Sequence, residues 1–307
     1  MKRIIIGSRG SKLALWQSEY LAVELKKLIP ELEIEIKIIK TKGDKILDVA
    51  LSKIGDKGLF TKEIEIQLLA GNIDLAAHSM KDLPSEIEKG LLIGAVLKRE
   101  DPRDVLISHK NYRFQDLPPG AFIGTSSLRR MAQVKATRPD ISIRDIRGNV
   151  ETRIRKMKEE DLDGIILAYA GVKRLGLEDE ISDYLPTDIM MPAVGQGVIA
   201  VEAREDDQDV LSLLNRINDS SVQFSTMAER SFLNELQGGC QVPVASVAEL
   251  QGDRIVLQGL VASLDGTEVF RGNCEGSRDE AEKMGRQLAR QLMKKGADRV
   301  LDAIVNS

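Results

Sequence analysis

The sequence predicts an α/β fold in more than one domain, and three observations predict it. The chain has 307 residues, more than one domain of roughly 100–200 residues holds. Over its first two thirds, short apolar runs alternate with stretches of helical spacing, and run after run ends in a polar turn. Beyond residue 217 the grammar changes to a helix, three strands joined by hairpin signals and a last helix.

Taken in order, Arg3–Ile6 reads as a strand and Gly7–Ser11 as a turn. Ser11 is the N-cap of a helix spaced by Leu13, Trp16, Leu21, Leu25 and Leu28, ending before Pro30. Arg9 lies beside that helix N-terminus, where backbone N–H groups favour an anion. The plainer reading of Arg9 is a solvated turn residue. Glu33–Ile39 alternates strictly, as a strand does. Thr41–Gly58 is rich in Lys, Asp and Gly, and its length suits a lid from which Lys53 and Lys57 reach a ligand. Solvated charge is the default role of those lysines. Phe60–Leu69 returns to helix and stops at Gly71.

Asp74–Ala77 is short and apolar, a buried strand, and Pro84 blocks regular structure beyond it. His78, Ser79, Lys81 and Asp82 are therefore expected in a loop at the strand's C-terminal edge, where open α/β sheets bind ligands. Lys81 beside Asp82 offers a cation for an anion and a carboxylate for proton transfer. By itself the pair reads as readily as a surface turn with a weak ion pair.

Leu91–Leu97 is a strand, the charged Lys98–Arg103 suits an interdomain crossover, and Asp104–Ser108 is a strand. Phe122–Arg130 repeats strand, loop and helix, with Thr125, Ser126 and Ser127 opening a helix that begins with Arg129 and Arg130. Hydroxyls, helix-end N–H groups and guanidinium forks together suit carboxylate or phosphate. Capping alone needs one hydroxyl and no arginine. Ile141–Ile146 is a strand ending in Arg147, and Asn149 caps a helix holding Arg153. Gly164–Ala168 is a buried strand followed by Lys173 and Arg174. Strand after strand in this half ends in a basic residue. Pro192–Gly197 is a Gly-rich turn crossing back to the first domain; it lacks the spacing of a dinucleotide fingerprint or phosphate loop. Asp207–Ile217 is helical.

Ser221–Leu236 is an amphipathic helix. The runs Val244–Leu250, Arg254–Ser263 and Glu268–Glu275, joined by Gly252-Asp253 and Asp265-Gly266, form a small antiparallel sheet. Asp279–Ala303 is helical. Cys240 lies between glycines and a proline, outside any apolar period, which marks a nucleophile or attachment point. Cys274 ends a strand and reads as packing. The division expected is residues 1–98 with 198–217, then 99–197, then 218–307.

Composition bounds the function. Hydrophobic residues make up 42% and charged residues 30%, as in soluble globular proteins. No run reaches the roughly 20 apolar residues of a membrane span, and the three-residue apolar run before Gly7 is too short for a signal peptide. A cytoplasmic protein is expected. Two cysteines form no disulfide framework, and with two histidines they lack metal-site spacing, so no metal is expected. The net charge of −4 argues against general nucleic-acid binding. It is unevenly spread: residues 125–174 carry 12 basic and 7 acidic side chains, residues 198–307 carry 12 and 18. The basic middle suggests a local anion site.

Seven stretches carry a resemblance. They are Gly7–Leu15 (GSRGSKLAL), His78–Pro84 (HSMKDLP), Arg99–Asp104 (REDPRD), Gly124–Arg130 (GTSSLRR), Arg147–Asn149 (RGN), Pro192–Gly197 (PAVGQG) and Gly238–Pro243 (GGCQVP). In this order, from end to end, the chain resembles the hydroxymethylbilane synthase, or porphobilinogen deaminase, family of transferases. The resemblance implies two halves like those of type-II periplasmic binding proteins around a cleft, plus a small α+β domain with a three-stranded antiparallel sheet. It implies head-to-tail condensation of four porphobilinogens into linear hydroxymethylbilane with loss of ammonia, in tetrapyrrole and haem biosynthesis. A dipyrromethane cofactor, itself built from substrate, would be held as a thioether on Cys240. Asp82 would be catalytic. Arg9, Ser11, Lys81, Thr125, Ser126, Ser127, Arg129, Arg130, Arg147, Arg153, Arg174 and Gln196 would bind cofactor and substrate, and Lys53, Lys57 and Phe60 would belong to the lid. It also implies a cytoplasmic monomer whose partner is porphobilinogen, with no nucleic acid and no membrane. The rivals are a non-catalytic carboxylate- or phosphate-binding receptor of periplasmic-binding type, which gives Cys240 no role, and a phosphate-handling transferase, which would want a phosphate loop.

Overall fold

A computed structural model describes residues 2–45, 59–237 and 242–305. The strands are β1 (Arg3–Ser8), β2 (Glu33–Ile38), β3 (Leu75–Ser79), β4 (Leu91–Val96), β5 (Asp104–Ile107), β6 (Phe122–Gly124), β7 (Ser142–Arg144), β8 (Gly164–Ala168), β9 (Ile181–Tyr184), β10 (Ile199–Arg204), β11 (Val244–Gln251), β12 (Arg254–Ala262) and β13 (Val269–Ser277). The chain divides into two compact units, Met1–Arg99 with Val198–Gln223 and Glu100–Gly197 with Phe224–Ser307. The fold is α/β, with two mixed five-stranded sheets and a three-stranded antiparallel one.

In the first unit the sheet order is β2-β1-β3-β10-β4. β1 runs parallel to β2 and β3, and β10 is wedged antiparallel between β3 and β4. The edge strand β2 alternates Glu or Lys with Ile. The central β3 opens with Leu75-Ala76-Ala77, buried on both faces, because helices lie on both sides of an α/β sheet. Ile4, Ile6, Leu75, Ala77 and Val201 pack with Leu21 and Leu25 of the helix Lys12–Leu28. The second unit repeats this plan as β7-β6-β8-β5-β9, with β5 the antiparallel insertion.

One expectation fails at β3. His78 and Ser79 do not leave the sheet; they pair with Ala200 and Ile199 of β10. The polar turn begins at Met80. The partner strand comes from far along the chain, so the local pattern carried no sign of it.

The second unit also holds β11, β12 and β13, in that order. Their hairpin glycines, Gly252 and Gly266, take φ 64° and 74°, the left-handed region that glycine enters without steric cost. One face of this sheet meets the helices Ser220–Glu235 and Ala281–Leu292 through Phe232, Leu257 and Leu288. The other packs Ala245 and Leu260 on Ala132 and Met191. Buried Glu229 pins the turn before β10 to β11, accepting from the Gly195 and Ala248 amides at 2.7 Å each. The single last helix expected over 279–303 is broken: Gly296 takes φ 111°, between Ala281–Leu292 and Asp298–Val305.

Candidate active site

In the first unit the candidate groups gather where β3 ends. A single 3-10 turn, Met80–Asp82, follows the strand. Met80 and Leu83 are its buried anchors, the Met80 amide donates to the Val198 carbonyl at 3.0 Å, and Pro84 ends the turn. Buried Gln17 donates to the Ser79 hydroxyl at 2.8 Å from below. With its neighbours tied down, the turn presents Asp82 as an exposed carboxylate that accepts no hydrogen bond among the described residues. Lys81 beside it is half-buried. Behind the turn, buried His78 lies 3.3 Å from Glu202, which is fully buried. Glu65 is also buried, and burial raises its carboxyl above the ordinary value, with Thr61 pulling the other way and Glu202 adding to the rise.

Ser11 does cap its helix, accepting from the Ala14 amide at 3.3 Å. The Arg9 guanidinium lies over the Phe60 ring, 4.1 Å from its centroid. A cation held over a ring face at this distance gains about 0.5–1 kcal/mol at an exposed site. The structure thus brings Arg9 together with Phe60. Lys53, Lys57 and Cys240 lie outside the described residues.

In the second unit the hydroxyls and arginines that open the helix Leu128–Thr137 are largely engaged by the protein itself. Thr125 Oγ1 accepts from the Ser127 amide at 3.2 Å, and the Ser126 hydroxyl donates to the Ile146 carbonyl at 2.7 Å. Ser127 is the N-cap without a side-chain capping bond. Arg129 and Arg130 are 6% and 5% exposed, and each guanidinium sits 2.8 Å from the carboxylate of Asp104, which is fully buried. Arg129 donates to the Met191 carbonyl at 2.6 Å and Arg130 to the Ile166 carbonyl at 2.9 Å. Gln196 donates to Asp104 at 2.9 Å and to the Pro102 carbonyl at 2.7 Å. Burial pushes the Arg129 pKa down, and Asp104 opposes it.

Asp104 is the residue that sequence reading missed. A signal existed: it is the one acid in an otherwise apolar strand, and a carboxylate is buried only against cations or donors. Two guanidinium groups on one carboxylate leave one positive charge over, enough to hold one further anion.

The remaining basic strand ends are held by contacts within the same unit. Arg147 pairs with Asp145 at 3.2 Å, Arg153 donates to the Gly148 carbonyl at 2.8 Å, and Arg174 donates to the Gly197 carbonyl at 2.7 Å. A guanidinium has five donors in a fixed fork, so contacts of this kind set its direction. Such a set can hold carboxylates, and the exposed Asp82 can exchange a proton.

Comparison with known proteins identifies the family. Residues 4–212 match the model of the porphobilinogen deaminase dipyrromethane cofactor binding domain, and residues 224–294 that of the porphobilinogen deaminase C-terminal domain. The porphobilinogen deaminase of Syntrophomonas wolfei is 66% identical over 98% of this chain and 98% of its own. That of Carboxydothermus hydrogenoformans is 55% identical over 99% and 97%. Among solved structures, the probable amino-acid ABC transporter extracellular-binding protein ytmK of Bacillus subtilis aligns with 76% of this chain and 97% of its own, at TM-score 0.45 and 13% identity. No helix among the described residues is long and apolar enough to cross a membrane. Matched along nearly its whole length by both domain models and by close relatives, this chain belongs to the porphobilinogen deaminase family.

Proposed function

We infer that this chain carries out the reaction of its family, as a transferase joining four porphobilinogens head to tail into hydroxymethylbilane and releasing ammonia. The observation that carries this reading is the match to both parts of the family, with Asp82 in the first part and Cys240 just after the start of the second. A binding protein without catalysis gives Cys240 no role.

The donor set fits the dipyrromethane. That group carries acetate and propionate carboxylates, and Arg129 with Arg130 exceeds Asp104 by one positive charge. Arg129, Arg130 and the hydroxyls of Thr125, Ser126 and Ser127 would hold it, with Gln196 steadying Asp104. When bound through Cys240, it supplies the pyrrole end to which units are added.

The chain's own residues do the rest. Asp82 accepts the substrate pyrrole N–H, stabilises the positive charge that builds as ammonia leaves, and takes the proton shed by the attacked carbon. Lys81, Arg9, Arg147, Arg153 and Arg174 neutralise carboxylates that would be prohibitive to desolvate alone. Ser11 orders the helix start beside Arg9, and Phe60 stacks on that arginine. Lys53 and Lys57 belong, in this proposal, to the same lid as Phe60. We further propose a cytoplasmic monomer on the family resemblance, and the three-part division 1–98 with 198–217, 99–197 and 218–307 on the three separate sheets.

The test is the mass of the purified protein. It should exceed the sequence mass by two porphobilinogens less two ammonias, and Cys240→Ser should lack the increment, because a hydroxyl is a far poorer nucleophile than a thiolate. Active wild type at the bare sequence mass would overturn the proposal.

A further inference from the structure

The outer strand of the three-stranded sheet, β13, borders a groove that the reaction leaves without a role. Register places Asn273 opposite Gln258, and both share a sheet face with Arg271. Beyond the strand, the helix Ala281–Leu292 and the turn after it bring up Gln291 and Lys295, and Met191 closes the inner wall. Together with Gly272 these residues line a cavity of about 440 Å³. A second, of about 450 Å³, shares Gln291 and Lys295 and adds Gln287, Arg290 and Lys294.

The charge of this groove runs against its surroundings. Residues 198–307 carry 12 basic and 18 acidic side chains, yet four of those basic ones line these two cavities. Two carboxylates answer them: Glu235 pairs with Arg290 at 2.8 Å, and Asp188 faces Arg271. Lys294 and Lys295 make no ion pair among the described residues. Lysines near a helix C-terminus complement its dipole, which accounts for these two being there. It does not account for an arginine and four amides converging on them. In the first cavity, with cations and amides around it and one apolar wall residue, the space suits charge rather than a hydrophobic ligand. Cavities of roughly 300–1,000 Å³ hold small molecules.

We propose that this groove binds a small polyanion, a phosphate ester or polycarboxylate, through Arg271, Lys294 and Lys295, with Gln258, Asn273 and Gln291 as hydrogen-bond partners. The site is independent of the catalytic reading. Its inner wall, Met191, also carries the carbonyl that receives Arg129.

Calorimetric titration of the holoenzyme with pyrophosphate and with citrate, at fixed ionic strength, tests this without using turnover. One saturable site is expected for at least one probe, and which probe binds separates phosphate from carboxylate. Arg271→Gln, and Lys294→Gln with Lys295→Gln, should each weaken binding about tenfold or more. Arg147→Gln, aimed at the substrate arginines, should leave it unchanged. The proposal is overturned if neither probe binds saturably at millimolar concentration, or if binding survives in the groove variants. It is equally overturned if binding is lost in Arg147→Gln, which would put the anion among the substrate arginines.

Discussion

Asp82 and Asp104 show how differently two aspartates in one protein are used. Asp82 is exposed on a turn whose flanking residues are anchored, so its charge is available to a ligand. Asp82→Asn keeps the size and one acceptor but loses the charge and the removable proton. General acid/base groups contribute roughly 10²–10⁴ in rate, so turnover should fall at least about a hundredfold with thermal stability nearly unchanged. Near-normal turnover of correctly loaded Asp82→Asn would move the catalytic assignment elsewhere. Asp104 is buried between two guanidinium groups. Asp104→Asn leaves those cations without a counter-charge, and breaking a buried pair costs about 3–5 kcal/mol. Urea unfolding should show a loss of that order. A loss below about 1 kcal/mol would mean that other groups balance the arginines. Asp82 was legible in the sequence because Lys81, Asp82 and Pro84 are neighbours along the chain. The Asp104 pairings were not, since they join residues from separate strands and helices.

At the level of elements, the strand and helix order follows from periodicity, but the closeness of packing does not. Gly285 sits inside the helix Ala281–Leu292, where glycine is about 1 kcal/mol worse than alanine. A Cβ there would overlap the Ala228 carbonyl oxygen and the Phe232 amide nitrogen of the neighbouring helix. Propensity alone therefore says that Gly285→Ala stabilises, and packing says the reverse. We expect packing to prevail, with a net loss of about 1–3 kcal/mol as for other overpacked cores, read by denaturant unfolding. A variant more stable than wild type would show that the two helices part easily. The short turn Met80–Asp82 belongs to the same scale. Its place was legible from Pro84, while the extension of β3 through His78 and Ser79 required β10.

For the whole molecule, the buried Glu65 makes stability depend on pH. Burial raises the Glu65 carboxyl above its ordinary value of 4.5, so the folded protein holds this proton more tightly than the unfolded chain does. The stabilising contribution is full below the unfolded value and is lost as pH rises through the folded one. Glu65→Gln removes it. The stability of the variant relative to wild type should therefore grow as pH rises above about 4.5, by at most about 1.4 kcal/mol per pH unit, until the folded carboxyl has ionised. Unfolding curves for the two proteins at several pH values measure this. Parallel pH dependence would show that Glu65 titrates alike folded and unfolded.

What the sequence determined by itself was whatever depends on residues close along the chain. Alternation marked β2, helical spacing and Ser11 marked the first helix, and glycine dipeptides marked the hairpins of the last sheet. The motif order marked the family. Tertiary structure alone decided the insertion of β10 between β3 and β4, the burial of His78 against Glu202, and the sharing of Asp104 by Arg129 and Arg130. The reason is physical. Backbone periodicity is a local property, whereas a buried charge is stable only beside a partner, and which partner lies alongside is settled by how distant segments fold together.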